Sequence, residues 1–187
     1  MSGEVLRSTV RIVVLVVVGY EVLGAVRTFS PVKGEALNPR LQLLPIGYVI
    51  MFYRTFGPRV PAVWLAIPGL TFFVSSLALY EWARRSIAGK FFSYAYSDDT
   101  PDFLWTKGPF AYIRNPFYTS YLLTFAGTAI LFPGILTGVL FVVMIAFFFR
   151  LVQHEERKFR RSAMASEYED YMRRTGRFMP RTKRIRG

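Results

Sequence analysis

The feature that most constrains this chain is a series of long apolar runs that are kept apart from its basic residues. The first run, Val10 to Thr28, is about long enough to cross a hydrocarbon core of roughly 30 Å at a helical rise of about 1.5 Å per residue. Similar runs follow at 39–56, 61–83, 116–132 and 135–152. They predict an all-α integral membrane protein with about five transmembrane helices, in one domain spanning 1–187.

Proline and glycine mark how these helices begin, bend and connect. Asn38 and Asn115 are suitable N-caps, and the proline after each suits a first helical position. Pro68 lies inside the third run and is expected to kink it. Only Pro133-Gly134 separates the last two runs, which predicts a tight antiparallel hairpin.

The basic residues indicate an orientation. The chain has 24 Lys and Arg against 12 Asp and Glu, and in a five-helix arrangement twenty of the 24 fall on the side that holds the C-terminus. The positive-inside rule therefore predicts a cytoplasmic C-terminus. Within the tail, residues 155–174 mix aromatic with charged side chains, which is typical of an interfacial helix. The long uncharged runs argue against a nucleic-acid partner.

Composition also limits the chemistry. The chain has no cysteine and a single histidine, His154, which excludes disulfides, thiolate nucleophiles and the usual zinc sites. No metal site is predicted. Any reaction must use carboxylates, arginine, tyrosine or a bound cofactor.

The segment 107–118 is the first candidate site. Asn115 and Pro116 would start a helix whose positive end suits an anionic group. Gly108 would let a backbone approach a ligand closely. The alternative is an ordinary start of a membrane helix, with Arg114 reaching toward lipid phosphate.

The segment 150–159 is the second. Glu155 and Glu156, at the end of the last apolar run, could bind a cationic group. The alternative is a solvated helix face on which Glu156 pairs with Arg160, worth a few tenths of a kcal/mol. His154 could accept a proton near neutral pH or be merely interfacial.

Because the two segments bracket one hairpin, they must emerge next to each other on one membrane face. Their pattern is Gly108-Pro109-Phe110 with Tyr112, Arg114-Asn115-Pro116-x-Tyr118, Glu155-Glu156, Tyr168-x-x-Tyr171 and Arg177-Phe178-Met179-Pro180. This pattern resembles the superfamily of isoprenylcysteine carboxyl methyltransferases and phospholipid N-methyltransferases, over about residues 106–181. The chain departs from it at Asn115, where many members have histidine, and at Ser120, where many have glycine.

The resemblance implies an S-adenosylmethionine-dependent enzyme whose lipid or prenylated acceptor enters sideways from the bilayer. The catalytic candidates are Arg150, Glu155 and Tyr118. The cofactor-binding candidates are Lys107, Gly108, Pro109, Tyr112, Arg114, Asn115, Pro116, Tyr118, His154, Glu155 and Glu156. A carboxylate acceptor would need only a cation such as Arg150, whereas an amine must first lose a proton.

Two other functions stay open on the sequence. A membrane reductase of sterol or steroid type has a similar Arg-x-Pro-x-Tyr segment but takes NADPH. The glutamate pair argues against this function, because the phosphates of NADPH prefer cations. A non-enzymatic scaffold could keep the same fold. Glu21, inside the first run, is either a functional intramembrane acid or a partner for polar groups on neighbouring helices.

Overall fold

The computed structural model describes residues 3–30, 43–57, 61–87, 92–93, 101 and 103–181. Its α-helices are α1 (Gly3–Thr28), α2 (Leu43–Phe56), α3 (Val63–Ser86), α4 (Pro116–Leu131), α5 (Ile135–Arg160) and α6 (Ala165–Arg174). A 3₁₀ turn, Gly108–Ala111, precedes α4. The two-residue strands β1 (Phe29–Ser30) and β2 (Phe92–Ser93) pair in parallel. The predicted helical class is therefore confirmed for the described residues.

A helix is present at each of the five predicted spans, but the helices differ in length. Three are long and apolar enough to cross a membrane: Gly3–Ala25, Val63–Ser86 and Ile135–Arg160. The helices α2 and α4 have 14 and 16 residues, fewer than the roughly 20 that a full crossing needs. Five crossings and a cytoplasmic C-terminus stay predictions. The predicted cap at Asn38 and Pro39 lies outside the described residues.

The core of the bundle is α4, which is buried on most of its surface and packs along α3. Small residues allow these two helices to approach closely. A Cβ atom added to Gly127 would lie 2.8 Å from the Phe73 ring and 3.0 Å from the Gly69 carbonyl oxygen. One added to Gly69 would lie 2.5 Å from Leu131. The α3–α4 interface therefore depends on both glycines.

Contacts at the two ends of the bundle show how the helices alternate in direction. At one end, Arg11 near the start of α1 donates to the carbonyl of Phe56, 3.0 Å away, at the end of α2. The predicted Pro133-Gly134 connection between α4 and α5 is confirmed, and Gly134 lies near Arg54 at this same end. At the opposite end, α3 finishes against Gly108, just before α4 begins.

The sequence misplaces two helix boundaries in this structure. The first helix begins at Gly3 rather than Val10, and α5 continues to Arg160, beyond the predicted 152. The single continuous helix predicted over 155–174 is wrong, because the chain turns between Arg160 and Ala165 before α6. An interfacial position of α6 stays a prediction. Hydropathy marks where a helix leaves lipid, whereas charged residues such as Glu, Arg and Lys extend a helix readily in water.

Candidate active site

The C-terminal segment after α6 packs against the residues that lead into α4. The amide of Arg114 donates to the Gly176 carbonyl over 2.8 Å, and the Gly176 amide donates to the Tyr112 carbonyl over 3.1 Å. This short pairing requires glycine, since a Cβ atom on Gly176 would lie 1.7 Å from the carbonyl oxygen of Met179. The chain therefore closes on itself around the start of α4.

Side chains from the first turn of α4 extend this docking. The Asn115 amide group donates to the carbonyl of Arg177 over 3.1 Å, and the Thr119 hydroxyl donates to that of Phe178 over 3.2 Å. Asn115 takes the N-cap position and Pro116 the first helical position, as predicted, but the Asn115 side chain makes no capping hydrogen bond. That part of the prediction is wrong, because the Asn115 side chain binds the C-terminal segment instead.

A buried carboxylate, Glu156, joins the two motif segments to the C-terminus. It receives Arg177 as a two-pronged pair, with Nη2 at 2.6 Å from Oε2 and Nε at 3.0 Å from Oε1. Arg114 reaches Oε1 with Nη2 at 3.1 Å and Nε at 3.3 Å. The side chains of Glu156 and Arg114 are only 5% and 10% exposed. We call these three residues the arginine clasp.

The clasp is reinforced from both sides. Arg114 Nη1 donates to the Thr175 carbonyl over 2.6 Å, and the Arg177 guanidinium lies 4.8 Å above the centre of the Phe149 ring. Hydrogen bonding to Glu156 raises the pKa of Arg177 above its ordinary value. The solvated pairing of Glu156 with Arg160 is therefore wrong, and Arg114 points into the protein rather than toward lipid.

The neighbouring carboxylate, Glu155, has a different partner. It accepts a hydrogen bond of 2.6 Å from the Tyr118 hydroxyl, on the first turns of α4. The Tyr118 ring is stacked on Phe148 of α5, with 5.4 Å between ring centres. This contact confirms that the two motif segments meet at one end of the hairpin, as their places around it predict.

Of the other candidates before α4, Gly108 and Tyr112 lie against the end of α3. Gly108 has a φ of 61°, and a Cβ atom there would lie 2.5 Å from that of Ser86. Its close approach in this structure is thus to the end of α3. Pro109 is buried, whereas Tyr112 is half exposed beside Trp82, and Lys107 is exposed.

Two further candidates lie on α5. Arg150 is exposed, more than one helical turn before Glu155. His154 is partly buried. The structure does not bring Arg150 together with Tyr118 and Glu155, so its role in orienting an acceptor stays a prediction.

Helix α6 packs against the 3₁₀ turn that precedes α4 and against the end of α5. The Tyr171 hydroxyl donates to the Phe110 carbonyl over 2.6 Å, and the Tyr168 ring stacks on Phe159 with 4.6 Å between centres. Burial raises the pKa of both tyrosines above the ordinary value. Their hydroxyls therefore stay protonated, and that of Tyr171 stays a donor.

Sequence reasoning did not assign roles to Arg177, Thr119 or Gly176. Arg177 belongs to the C-terminal part of the family-like pattern, so the sequence indicates that the residue is of interest. The sequence does not indicate that Glu156 is its partner. Thr119 and Gly176 had no signal beyond lying within or beside that pattern. All three act through the docked C-terminal segment, which hydropathy does not detect.

The family described as phospholipid methyltransferase matches residues 64–166. This range is more than half of the chain. It runs from α3 through the candidate site to the start of α6, and it includes Arg114, Glu155 and Glu156 but stops before Arg177. No curated protein matches the chain.

Proposed function

We propose that this chain, which belongs to the phospholipid methyltransferase family, transfers a methyl group from S-adenosylmethionine to the amine of a phospholipid headgroup. The transfer would take place at the cytoplasmic face of the membrane. The observation that carries the proposal is the Tyr118–Glu155 hydrogen bond of 2.6 Å, because it places a carboxylate beside the positive end of α4. The three long apolar helices supply the membrane setting for a lipid substrate.

The residues around Tyr118 suit the cofactor's charges. An amino-acid head carries a carboxylate and an ammonium group. The N-terminus of α4, where Asn115 precedes Pro116, suits the carboxylate. Glu155 suits the ammonium, and the half-exposed Tyr112 offers a flat face to an adenine ring. When bound, S-adenosylmethionine supplies an electrophilic methyl group on a sulfonium.

The remaining candidates contribute around these contacts. Lys107 is exposed beside the Trp105 ring, 5.9 Å from its centre, and would hold anionic groups. Gly108 and Pro109 fix the path of the backbone that carries Tyr112. His154, adjacent to Glu155, would line the site from α5.

The amine acceptor gives Glu155 a second task. An ammonium headgroup has no free electron pair, so it must lose a proton before its nitrogen can attack. Glu155 would accept that proton, and Tyr118 would hold the carboxylate in place for it. The bound cofactor would supply the methyl group and leave as the neutral thioether, and the proton of the amine would stay on Glu155.

The arginine clasp would act by position rather than by contact with substrate. Both oxygens of Glu156 are committed to Arg114 and Arg177. We therefore assign Arg114 and Glu156, both predicted as cofactor-binding residues, to holding the C-terminal segment over the site. Arg150, exposed at the edge of α5, would meet the phosphodiester of the acceptor lipid as that lipid diffuses in.

The decisive experiment uses the full chain in nanodiscs that contain an aminophospholipid. Radiolabelled S-adenosylmethionine should place label in the lipid, and Glu155→Gln should lower turnover at least about tenfold, or roughly 1.4 kcal/mol of transition-state stabilisation. Arg157→Gln is the matched control, because Arg157 is exposed two residues further along α5. Label transfer to a prenylated carboxylate but not to the amine would show that the acceptor is a carboxylate and not a phospholipid amine. Binding of NADPH, but not of S-adenosylmethionine or its demethylated product, would favour the reductase instead.

A further inference from the structure

Glu21 lies at the centre of the bundle and has no part in the reaction described above. Its side chain is fully buried. Its oxygens contact hydroxyl groups from three other helices: Tyr48 of α2 at 3.3 Å, Ser76 of α3 at 2.5 Å, and Thr124 of α4 at 3.0 and 3.2 Å. We call these four residues the Glu21 node. A carboxyl group inside the apolar region is costly to keep, so its retention calls for a role.

The node is tied to α4 at two positions. Besides the Glu21–Thr124 contact, the Ser76 hydroxyl lies 2.7 Å from the Ser120 carbonyl oxygen and 2.9 Å from the Thr124 hydroxyl. Ser120 and Thr124 are four residues apart and so share one face of α4. Two attachments on one face resist rotation of the helix about its axis.

A second contact fixes the depth of α4. The glycine contact between Gly69 and Gly127 lies further along the same α3–α4 interface. Together, the glycine contact and the Glu21 node hold α4 against α3 at two levels. The node is the one nearer to Tyr118, which lies six residues before Thr124.

The rotation of α4 matters for the candidate site. Tyr118 precedes Ser120 by two residues and Thr124 by six, which places it about 160° and about 120° from them around the helix. The node and Tyr118 therefore lie on different sides of α4. A tyrosine hydroxyl extends about 8 Å from the helix axis, so turning α4 by about 20° would move it by roughly 3 Å. That movement would break the 2.6 Å hydrogen bond to Glu155.

We propose that Glu21 is a positioning residue for the methyl-transfer site: through Ser76 and Thr124 it fixes the rotation of α4 and so directs Tyr118 at Glu155. This inference rests on the proposed function. A carboxyl group suits the task because its two oxygens reach three hydroxyl groups on three helices at once. A glutamine has one acceptor oxygen, and a leucine has none.

The experiment measures the position of Tyr118 directly. With 3-fluorotyrosine at position 118 only, the fluorine NMR signal of the full chain in nanodiscs should shift and broaden in Glu21→Leu, and shift less in Glu21→Gln. Thr128→Val is the matched control. Thr128 is buried on α4 like Thr124, but its hydroxyl donates to the Thr124 carbonyl within the same helix. If Glu21→Leu does not fold, Ser76→Ala removes one arm of the node and decides the same question.

Turnover provides the second measurement. Glu21→Leu should lower turnover at least about tenfold in the natural chain but less than about twofold in a Tyr118→Phe background, because coupled residues are not additive. An unchanged fluorine signal, or equal losses in both backgrounds, would overturn the positioning role. A natural chain that transfers no methyl group would overturn the proposed function, while the fluorine signal would still judge the role of Glu21.

Discussion

Replacing Glu156 by glutamine should release the C-terminal segment from the site. The substitution keeps the size of the side chain and removes its charge. Both guanidinium groups of the arginine clasp would then lose their counter-ion. Arg114 is affected most, because only 10% of its side chain is exposed and it cannot turn to solvent without leaving the Thr175 carbonyl.

The magnitude follows from burial. Removing one partner of a buried ion pair costs about 3–5 kcal/mol, since the other charge stays in a poorly solvated place. The Arg114 half of the clasp falls in that range. Arg177 is 30% exposed and adds less, because water compensates part of its loss. We therefore expect at least about 3 kcal/mol in total, most of it from the Arg114 half of the clasp.

The assay combines unfolding with proteolysis of the protein in nanodiscs. A loss of about 3 kcal/mol lowers the unfolding midpoint by roughly 6–12 °C for a chain of this size. Trypsin should also cut after Arg177 faster than in the natural chain. Glu169→Gln is the control, because Glu169 is exposed on α6 and its charge contributes little.

One result would refute this reasoning. If Glu156→Gln unfolds and is cleaved like Glu169→Gln, the clasp does not hold the C-terminal segment. A midpoint that falls without faster cleavage after Arg177 would limit the role of Glu156 to joining α4 with α5.

Three shorter predictions concern the same region. Gly176→Ala should expose the C-terminal segment to trypsin at least as much as the loss of Glu156, because the added carbon has no room beside the backbone; natural cleavage rates would refute this. Tyr118→Phe should lower turnover at least about tenfold while costing about 1–2 kcal/mol in unfolding, because the ring remains and the hydrogen bond to Glu155 is lost; unchanged turnover would contradict it. Single cysteines at Ser97 and Gly187 should resist impermeant thiol reagents in intact cells, and ready labelling of both would invert the predicted orientation.

Local patterns made part of this fold predictable. The hairpin of α4 and α5 follows from two apolar runs that only Pro133-Gly134 separates. Once the hairpin is given, 107–118 and 150–159 must be neighbours, and the contacts of Tyr118 and Arg114 confirm it. Each inference uses residues that are adjacent in sequence or segments that flank a single hairpin.

The arginine clasp could not be predicted in this way. Arg177 lies 21 residues from Glu156, and Arg114 lies 42 residues away. Arg160, one helical turn from Glu156, is a closer candidate by spacing. What decides the pairing is the path of the chain after α6, which carries Arg177 back to α5. Helical periodicity contains no information about that path.

Two adjacent glutamates can have different tasks because of the helix that carries them. Neighbouring positions on α5 point about 100° apart, so Glu156 faces the C-terminal segment while Glu155 faces Tyr118 on α4. One carboxylate is neutralised by two arginines and fixes structure. The other accepts a hydrogen bond from the Tyr118 hydroxyl and is, in the proposed function, the group that acts on the substrate. A single-residue insertion before Glu155 would turn both side chains by that angle, so we infer that the register of α5, as much as the identity of the glutamates, determines whether this site can form.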